Sequence, residues 1–436
     1  MRQADLPRTR SGRTLKHTMH SFRSPVDPTA RPLRVLFSFS TRLGTPGIGT
    51  TGWHQAAEFA AQGVELTVAC ASLERPLPPQ ARVIETLRPL GVRLPFRALG
   101  FDRTVALHDR RVAALVRRRP DAFDVVHSWP AGALRTLEAA RAAGLPALLE
   151  RPNAHTRFAY EVVAEEHRRL GIEVDPEATH AFDADRLARE EREYAAASHL
   201  LCPSEFVART FLEAGFAPDR LLRHRYGYDP ARFAAPPGTP PQRPLRAVFV
   251  GSGEPRKGLH YALEAWLGCG APESGGRFVI CGRIEPAYRE LLAASLEHPS
   301  VEERGHVADP SDAMREADVL LLPSIEEGSA LVTYEARACG CVLAVSDRAG
   351  AACRPGEDAL VHPAGRPEIL RDQLASLVRS PARLAELRAA SLAGLDDLTW
   401  ARAAGALADA YRLALRPPSP PAGGDPGSTL TARMHA

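Results

Sequence analysis

Short apolar runs alternate with helical patterns along most of the chain. Aliphatic runs such as RVLFSFS, which begins at Arg34, and DVVHSW flank segments such as WHQAAEFAAQG, whose apolar residues recur at helical spacing. The same alternation restarts with LRAVFVGSG and continues to CVLAVS. Because alternating strands and helices build parallel sheets, the pattern predicts an α/β fold with two Rossmann-like, doubly wound domains.

Departures from this rhythm mark the predicted domain limits. A charged, helix-rich segment from Ala159 to Ala197 interrupts the first domain, and a proline-rich stretch that suits neither a helix nor an inner strand separates the two domains. The predicted parts are a disordered basic tail at 1–30, an N-terminal domain at 31–235, a linker at 236–244, a C-terminal domain at 245–398, a last helix at 399–416 and a disordered tail at 417–436.

The last helix carries an apolar stripe that requires a packing partner. Trp400, Ala404, Leu407 and Tyr411 fall on one face, and Thr399 is a suitable N-cap. The helix either packs on the second domain or returns to the first. Open parallel sheets bind ligands at the carboxyl ends of their strands, so the functional site is predicted in a cleft between the two domains.

Composition narrows the class of protein. The formal charge of +3, from 55 basic and 52 acidic residues, is too small to hold a nucleic acid by charge alone. No apolar run approaches the ~20 residues that span a bilayer, so we expect a cytoplasmic protein, with the inner face of the membrane as a further location. The seven cysteines show no metal-ligand spacing and are predicted to be reduced packing residues.

A glycine-rich loop between a strand and a helix is the strongest local motif. In VFVGSGEPRKGLHYALEAW, Gly251, Gly253 and Gly258 let backbone amides approach an anion, and the following helix adds a favourable dipole. Lys257 lies in this loop, although Lys16 is the only other lysine among the 55 basic residues. A compact ammonium in an otherwise arginine-rich chain indicates a phosphate contact. The alternative is an ordinary surface turn.

A second motif combines two glutamates with a turn at the start of a helix. In LLLPSIEEGSALVTYEARACGC, a buried strand ends at Pro323 and a helix is expected from about Ala330. Glu335 could accept hydrogen bonds from a ribose diol, and Glu327 from the hydroxyls of a second sugar. The backbone amides of Gly328, Ser329, Ala330 and Leu331 could hold the diphosphate between them. A solvated acidic pair is the alternative.

Together these residues resemble the family 4 retaining glycosyltransferases of the GT-B fold. Gly251 to Gly258 matches the family's G-x5-K-G block, Glu327 to Glu335 matches its E-x7-E block, and LCPSEFVARTFLEAGF matches the end of its first domain. The resemblance implies transfer of a hexose, with retention, from a nucleotide diphosphate sugar to a carbohydrate or lipid-linked acceptor, as in polysaccharide biosynthesis. It implies no cofactor.

The resemblance also assigns site residues. Lys257, Glu327 and a first-domain histidine are implied to be catalytic, and the histidine is His155 in LLERPNAHTRF or His127 in DVVHSW. The family holds the diphosphate with a further arginine five residues before the lysine, where this chain has Ser252. Arg256 or Arg283 is expected to supply that charge, and Gly251 is expected to border the donor.

The first glycine loop, STRLGTPGIGTTGWHQ, supports two interpretations. The resemblance implies that Gly47 and Gly49 close over the donor phosphates and the acceptor. Gly47, Gly49 and Gly52 also satisfy G-x-G-x-x-G, with Glu74 about 20 residues on, as in a nicotinamide-dependent oxidoreductase. We disfavour that alternative because the predicted strand ends near Ser40, and six residues lie between it and Gly47.

Three further expectations concern metals, membranes and catalysis. Asp183 and Asp185 form a D-x-D pair, but they lie in the charged, helix-rich segment from Ala159 to Ala197 rather than after a strand. We therefore expect no metal site and a reaction that is independent of Mg²⁺ or Mn²⁺. The basic helix from Arg110 to Pro120 could contact an anionic membrane, although a solvated face is favoured. A catalytically weak nucleotide-sugar-binding protein stays open because the family arginine is missing at Ser252.

Overall fold

The computed structural model describes residues 31–88, 100–238 and 242–416. The tails predicted at 1–30 and 417–436, and residues 239–241 of the predicted linker, lie outside the described residues. Two parallel sheets with alternating helices form two lobes, which confirms the predicted α/β architecture. The limits predicted for the individual domains stay predictions. Within the described residues, no helix is both long and apolar enough to cross a bilayer.

The first lobe is built on a parallel sheet whose described strands follow the order β3-β2-β1-β4-β5-β6-β7. These strands are β1 (Arg34–Leu43), β2 (Glu65–Leu73), β3 (Arg82–Glu85), β4 (Val125–Ser128), β5 (Ala147–Glu150), β6 (His199–Cys202) and β7 (Leu221–Arg223). Its described helices are α1 (Ile48–Ala61), α2 (Phe101–Arg118), α3 (Leu134–Ala142), α4 (Thr156–Leu170), α5 (Ala184–Ala196) and α6 (Glu205–Glu213).

The end predicted for the first strand is wrong. β1 continues to Leu43 because its register with β2 shifts between Phe39 and Arg42, after which Arg42 and Leu43 pair with the end of β2. A bulge of this kind depends on the neighbouring strand and has no local sequence signature. Three residues, rather than six, therefore separate the strand from Gly47, and the spacing argument against a dinucleotide loop loses its basis.

The second lobe repeats the plan with the described strand order β10-β9-β8-β11-β12-β13. The strands are β8 (Arg246–Val250), β9 (Arg277–Cys281), β10 (Val301–Gly305), β11 (Val319–Leu322), β12 (Val342–Ser346) and β13 (Ala359–His362). The described helices are α7 (Leu259–Leu267), α8 (Pro286–Leu296), α9 (Ser311–Glu316), α10 (Leu331–Ala338), α11 (Pro367–Arg379), α12 (Pro381–Ala393) and α13 (Trp400–Ala414). β11 and β12 are buried throughout because helices cover both faces of the sheet.

The last helix, α13, belongs to both lobes. Thr399 caps it by accepting a hydrogen bond from the Arg402 amide (3.3 Å). Trp400 packs in the core of the second lobe, whereas Leu407 and Tyr411 pack in the core of the first lobe. The Tyr411 hydroxyl lies 2.6 Å from Nδ1 of the buried His127 on β4. The apolar stripe of this helix therefore joins the lobes.

The chain crosses between the lobes at two adjacent places. One crossing follows β7, and the other precedes α13. The Tyr228 amide donates to the Leu398 carbonyl (3.0 Å), and the Trp400 amide donates to the Tyr228 carbonyl (3.2 Å), so the two crossing segments are bonded side by side. We call these paired segments the hinge.

Candidate active site

The glycine-rich loop after β8 places two cations at the carboxyl end of the second sheet. It contains a 3₁₀ turn, Pro255–Lys257, and ends at Gly258, the N-cap of α7. Gly258 has a φ of +71°, and a Cβ there would lie 2.2 Å from the Pro323 carbonyl oxygen. Glycine is therefore required, because the loop after β8 and the loop after β11 touch backbone to backbone.

The loop after β11 faces the first lobe. A Cβ on Gly328 would lie 1.4 Å from the Pro152 carbonyl oxygen, so this glycine allows the two lobes to meet. The Ser204 hydroxyl of the first lobe donates to the Gly328 carbonyl (2.6 Å). The Ala154 amide, also in the first lobe, donates to a carboxylate oxygen of Glu326 (3.2 Å). This loop is therefore at the interface of the lobes.

Opposite charges converge where these loops meet. Lys257 Nζ donates to Glu327 Oε1, and Arg256 Nη1 lies 3.4 Å from Glu327 Oε2 and 3.3 Å from Glu326 Oε2. Arg256 Nη2 donates to Glu254 Oε1 (2.8 Å). His180 reaches across from the first lobe, with Nε2 3.5 Å from Glu326 Oε2. We call the five charged residues of the second lobe the charge cluster: Glu254, Arg256, Lys257, Glu326 and Glu327.

Two adjacent glutamates of the charge cluster have different proton affinities. Burial alone would raise the pKa of Glu327, but Lys257 and Arg256 outweigh it and hold the pKa at about 2. For Glu326 the same burial prevails over the attraction of Arg256 and raises the pKa. Glu327 is therefore an anion near neutral pH, able to accept hydrogen bonds from hydroxyl groups.

Comparisons with known proteins identify the family. A model described as Glycosyltransferase Family 4 matches residues 46–232, and one described as Glycosyl transferases group 1 matches residues 244–380. The chain belongs to the family 4 glycosyltransferases. The two models together match both lobes of this GT-B glycosyltransferase. We therefore set aside the alternative that the chain is a nicotinamide-dependent oxidoreductase.

Relatives and solved structures agree with this assignment. The D-inositol 3-phosphate glycosyltransferase of Rhodococcus opacus is 28% identical, over 88% of this chain and 91% of that protein. Anabaena HepE in complex with UDP and glucose has a TM-score of 0.59 at 14% identity, covering 86% of this chain and 98% of HepE. Sucrose-phosphate synthase from Thermosynechococcus elongatus has a TM-score of 0.61 at 16% identity, covering 88% and 98%. The solved structures share the fold of this glycosyltransferase.

The structure brings most of the predicted donor residues of the glycosyltransferase together. Lys257, Arg256, Glu327 and Gly328 lie in or beside the charge cluster, and Gly251 lies next to the Lys257 side chain, because a Cβ on it would be 3.8 Å from Lys257 Cε. Arg256, rather than Arg283, joins the cluster. The Arg283 side chain is exposed.

The diphosphate site predicted at the backbone amides of residues 328–331 needs one correction. The Ala330 amide donates to the Ala349 carbonyl (3.2 Å), so it is not available to a diphosphate. The Ser329 side chain, as distinct from its backbone amide, is engaged through a 2.9 Å hydrogen bond between its hydroxyl and that of Tyr334. Leu331 begins α10, and Glu335 lies one turn further along that helix. Burial raises the pKa of Glu335 to about 7.

Neither predicted histidine is in the charge cluster. The ring of His155, at the N-cap of α4, lies among aromatic side chains, with centroids 5.3 Å from Tyr194 and 5.1 Å from Phe211. Burial, assisted by Arg151, lowers the pKa of His155 to about 4. His127 is fully buried in β4, where Nε2 lies 3.2 Å from Glu150 Oε2. Both rings therefore pack in the interior of the first lobe.

The remaining predicted residues lie in a tight loop and at the N-termini of helices. Gly47, with a φ of +81°, is the N-cap of α1, and the Gly44 amide donates to the Gly49 carbonyl (2.9 Å), so the first loop is tightly folded. Asp183 caps α5 by accepting from the Arg186 amide (2.9 Å). The D-x-D pair therefore has a local structural explanation.

Sequence reasoning missed three members of the site. Glu326 adjoins Glu327 in the quoted motif and could have been found there. Glu254 lies in the quoted glycine loop. No sequence motif marks His180, which belongs to the charged, helix-rich segment. Its position depends on how the chain between α4 and α5 folds against the second lobe.

Proposed function

We propose that this glycosyltransferase moves a hexose from a nucleotide diphosphate sugar to an acceptor hydroxyl, with retention at the anomeric carbon and without a metal ion. The observation that carries the proposal is the convergence of Lys257 and Arg256 with Glu327 at the carboxyl edge of the second sheet. A carbohydrate or lipid-linked compound is the proposed acceptor class.

The two cations stabilise the diphosphate leaving group. As the glycosidic C–O bond breaks, negative charge grows on the diphosphate, and a fixed ammonium and guanidinium stabilise that charge more in the transition state than in the ground state. Lys257 exchanges Glu327 for a phosphate oxygen when the donor binds. Arg256 supplies the second charge that the family places at the position of Ser252.

The carboxylates bind the two sugars of the donor, the transferred hexose and the ribose. Glu327, released from Lys257, accepts hydrogen bonds from hydroxyls of the transferred hexose. Glu335 accepts from the ribose diol when it is deprotonated. Family membership supports retention, and the paired cations support metal independence because they provide the positive charge that a metal would otherwise supply.

The test measures transfer and hydrolysis with a panel of UDP-, GDP- and ADP-sugars. UDP-glucose is the first donor because HepE, a structural neighbour, was crystallised with it. We expect Lys257→Met to lower kcat at least ~100-fold, in the range found when a transition-state charge partner is removed. Lys16→Met changes the other lysine of the chain and serves as the matched control.

Two further measurements check retention and metal independence. The anomeric coupling of the product, read by NMR, should match that of the donor, and EDTA should leave the rate unchanged. Inversion, or loss of activity that Mg²⁺ restores, would contradict the respective part of the proposal. Equal rates for Lys257→Met and wild type would contradict the role of the cluster.

A further inference from the structure

A fully buried carboxylate that the proposed chemistry does not use lies at the end of β5. Glu150 Oε1 lies 2.9 Å from His224 Nε2 and accepts a hydrogen bond from the Tyr226 hydroxyl (2.9 Å). Glu150 Oε2 lies 3.2 Å from His127 Nε2 and 3.4 Å from Gln55 Nε2. All five side chains are buried. Because a buried charge is costly unless it is paired, the protons of the neighbouring rings decide whether Glu150 can be an anion.

The hydrogen-bond pattern identifies His224 as the cation that pairs with this carboxylate. Its Nε2 faces Glu150, and its Nδ1 lies 3.3 Å from the backbone carbonyl oxygen of Arg225. A carboxylate and a carbonyl only accept hydrogen bonds, so both ring nitrogens of His224 carry a proton. Burial would raise the pKa of Glu150, but His224 and His127 outweigh it and hold the pKa far below its usual value. Glu150 and His224 therefore form a buried ion pair.

His127 extends these contacts to the last helix. Its Nδ1 lies 2.6 Å from the Tyr411 hydroxyl, which has no other hydrogen-bond partner among the described residues. A buried hydroxyl requires an acceptor, so it donates to Nδ1, and the ring proton of His127 is on Nε2, facing Glu150. Burial lowers the pKa of His127 despite the attraction of Glu150, in agreement with a neutral ring. We call these connected side chains the buried network: Gln55, His127, Glu150, His224, Tyr226 and Tyr411.

The buried network connects one carboxylate to both chain crossings of the hinge. His224 and Tyr226 lie on the crossing that follows β7, just before Tyr228. Tyr411 lies on α13, which the other crossing enters at Trp400. The rings of Tyr226 and Trp400 are also in contact, with centroids 5.9 Å apart. A change in the contacts of Glu150 therefore reaches both crossing segments.

The chain that follows Glu150 leads directly to the charge cluster. Ala154, four residues further on, donates its backbone amide to a carboxylate oxygen of Glu326 (3.2 Å). Between them, the Pro152 carbonyl lies against the backbone of Gly328. The loop that meets the second lobe is therefore attached to the same residue that holds the hinge.

We propose that Glu150 is a positioning residue for sugar transfer: through the imidazolium of His224 and through His127 and Tyr411, it sets the orientation of the two lobes in which the loop after β5 meets the charge cluster. The inference rests on the proposed function, because it concerns the alignment of the same cleft. Glu150 is fully buried, so it acts through the hinge and the loop rather than on the donor.

Two substitutions remove one hydroxyl each from the buried network and keep the aromatic ring. We expect Tyr226→Phe and Tyr411→Phe to lower kcat at least ~5-fold, because each loses a hydrogen bond that holds one crossing, whereas UDP affinity stays within ~2-fold because the charge cluster is unchanged. The measurements are transfer kinetics with the donor found in the nucleotide-sugar panel and calorimetric titration with UDP. Loss of folded protein alone would instead lower the UDP stoichiometry and the rate in proportion.

Tyr228→Phe is the matched control for these variants. Tyr228 lies on the same crossing, two residues after Tyr226, and its hydroxyl has no hydrogen-bond partner among the residues that the structure describes. Its removal should leave kcat within ~2-fold of the wild type, since no hydrogen bond is lost. An equal loss of kcat in Tyr226→Phe and Tyr228→Phe would show that the hinge is sensitive to any substitution and would overturn the inference.

Nitrogen NMR of isotope-labelled histidine tests the ion pair without an activity measurement. Near neutral pH we expect two ring protons on His224 and one on His127, with the His224 signals assigned by their loss in His224→Gln. Glu150→Gln removes the charge and keeps an acceptor, so it should leave His224 with one ring proton. If that variant fails to fold, the wild-type spectrum and the two tyrosine variants keep the test decisive.

A single ring proton on His224 in the wild type, or unchanged kcat in both Tyr226→Phe and Tyr411→Phe, would overturn the inference. If the wild type transfers sugar and these variants match it, the inference alone fails. If the wild type neither transfers sugar from any donor of the panel nor binds UDP, the proposed function fails.

Discussion

At the scale of single residues, burial and neighbouring cations together give two acidic side chains of the second lobe different proton affinities. Glu327 lies beside two cations and has a pKa of about 2, whereas burial raises the pKa of Glu335 to about 7. The usual value is 4.5 for both. Near neutral pH, Glu327 is fully charged and Glu335 is divided between its two forms, so donor affinity should respond to pH through Glu335.

Replacing Glu335 with glutamine should therefore stabilise the free protein in a pH-dependent way. The folded state holds the proton more tightly than the unfolded chain, so burying this side chain costs little below pH 4.5 and progressively more up to pH 7. From the shift between 4.5 and about 7, Glu335→Gln should gain about 2–3 kcal/mol at pH 8 and almost nothing at pH 4.5.

Thermal unfolding at the two pH values measures this difference. Glu161→Gln, at an exposed position on α4, is the matched control and should show no pH-dependent gain. The same gain for Glu335→Gln at both pH values would contradict the assigned pKa. In the same experiment, UDP affinity of the wild type should fall as the pH is lowered through 7.

At the scale of elements, the two loops that carry the charge cluster depend on one glycine. Gly258 and Gly270 both have positive φ values, +71° and +82°, but nothing lies within 4 Å of a Cβ on Gly270. Gly270→Ala should cost about 1 kcal/mol from the backbone conformation alone. Gly258→Ala adds a collision with the Pro323 backbone, so one of the two loops must move.

We expect Gly258→Ala to lower stability more than Gly270→Ala does, and to weaken UDP binding at least tenfold, because Lys257 precedes the displaced residue. Chemical denaturation and UDP titration of the two variants make the comparison. Equal UDP affinities would show that the contact with Pro323 does not position the cluster.

The elements also show how far the sequence could be interpreted. Periodic apolar patterns predicted the sheets, and the Lys257 and Glu327 motifs were each predicted in a loop between a strand and a helix, because strand–loop–helix units are encoded locally. The end of β1 and the direction of the His155 ring were not predictable in this way. A bulge depends on the neighbouring strand, and the His155 ring packs against Tyr194 and Phe211, which are distant in sequence.

At the scale of the whole molecule, a polar contact helps to hold the lobes together. Glu166 on α4 accepts hydrogen bonds from Tyr261 (2.7 Å) and lies 2.8 Å from Nε2 of His260, both on α7. Hydrogen bonds to a charged group contribute about 1.5–3 kcal/mol, enough to change the ratio of closed to open molecules at least tenfold.

We therefore expect Glu166→Ala to increase the radius of gyration of the ligand-free protein, measured by small-angle X-ray scattering. Glu165→Ala, which removes an exposed neighbour paired with Arg168, is the control and should leave the radius unchanged. An identical radius for the Glu166 variant would show that other contacts between the lobes are sufficient for closure.

The hinge has a mechanical consequence for such opening. Two bodies joined by one flexible segment can rotate in any direction, but here two segments are hydrogen-bonded side by side at Tyr228 and Trp400. Swinging about the line through both segments preserves these bonds, whereas twisting or sliding breaks them. Catalysis should therefore use one rotational degree of freedom, and spectroscopic labels beside that axis should keep a constant separation while labels across the mouth of the cleft move apart.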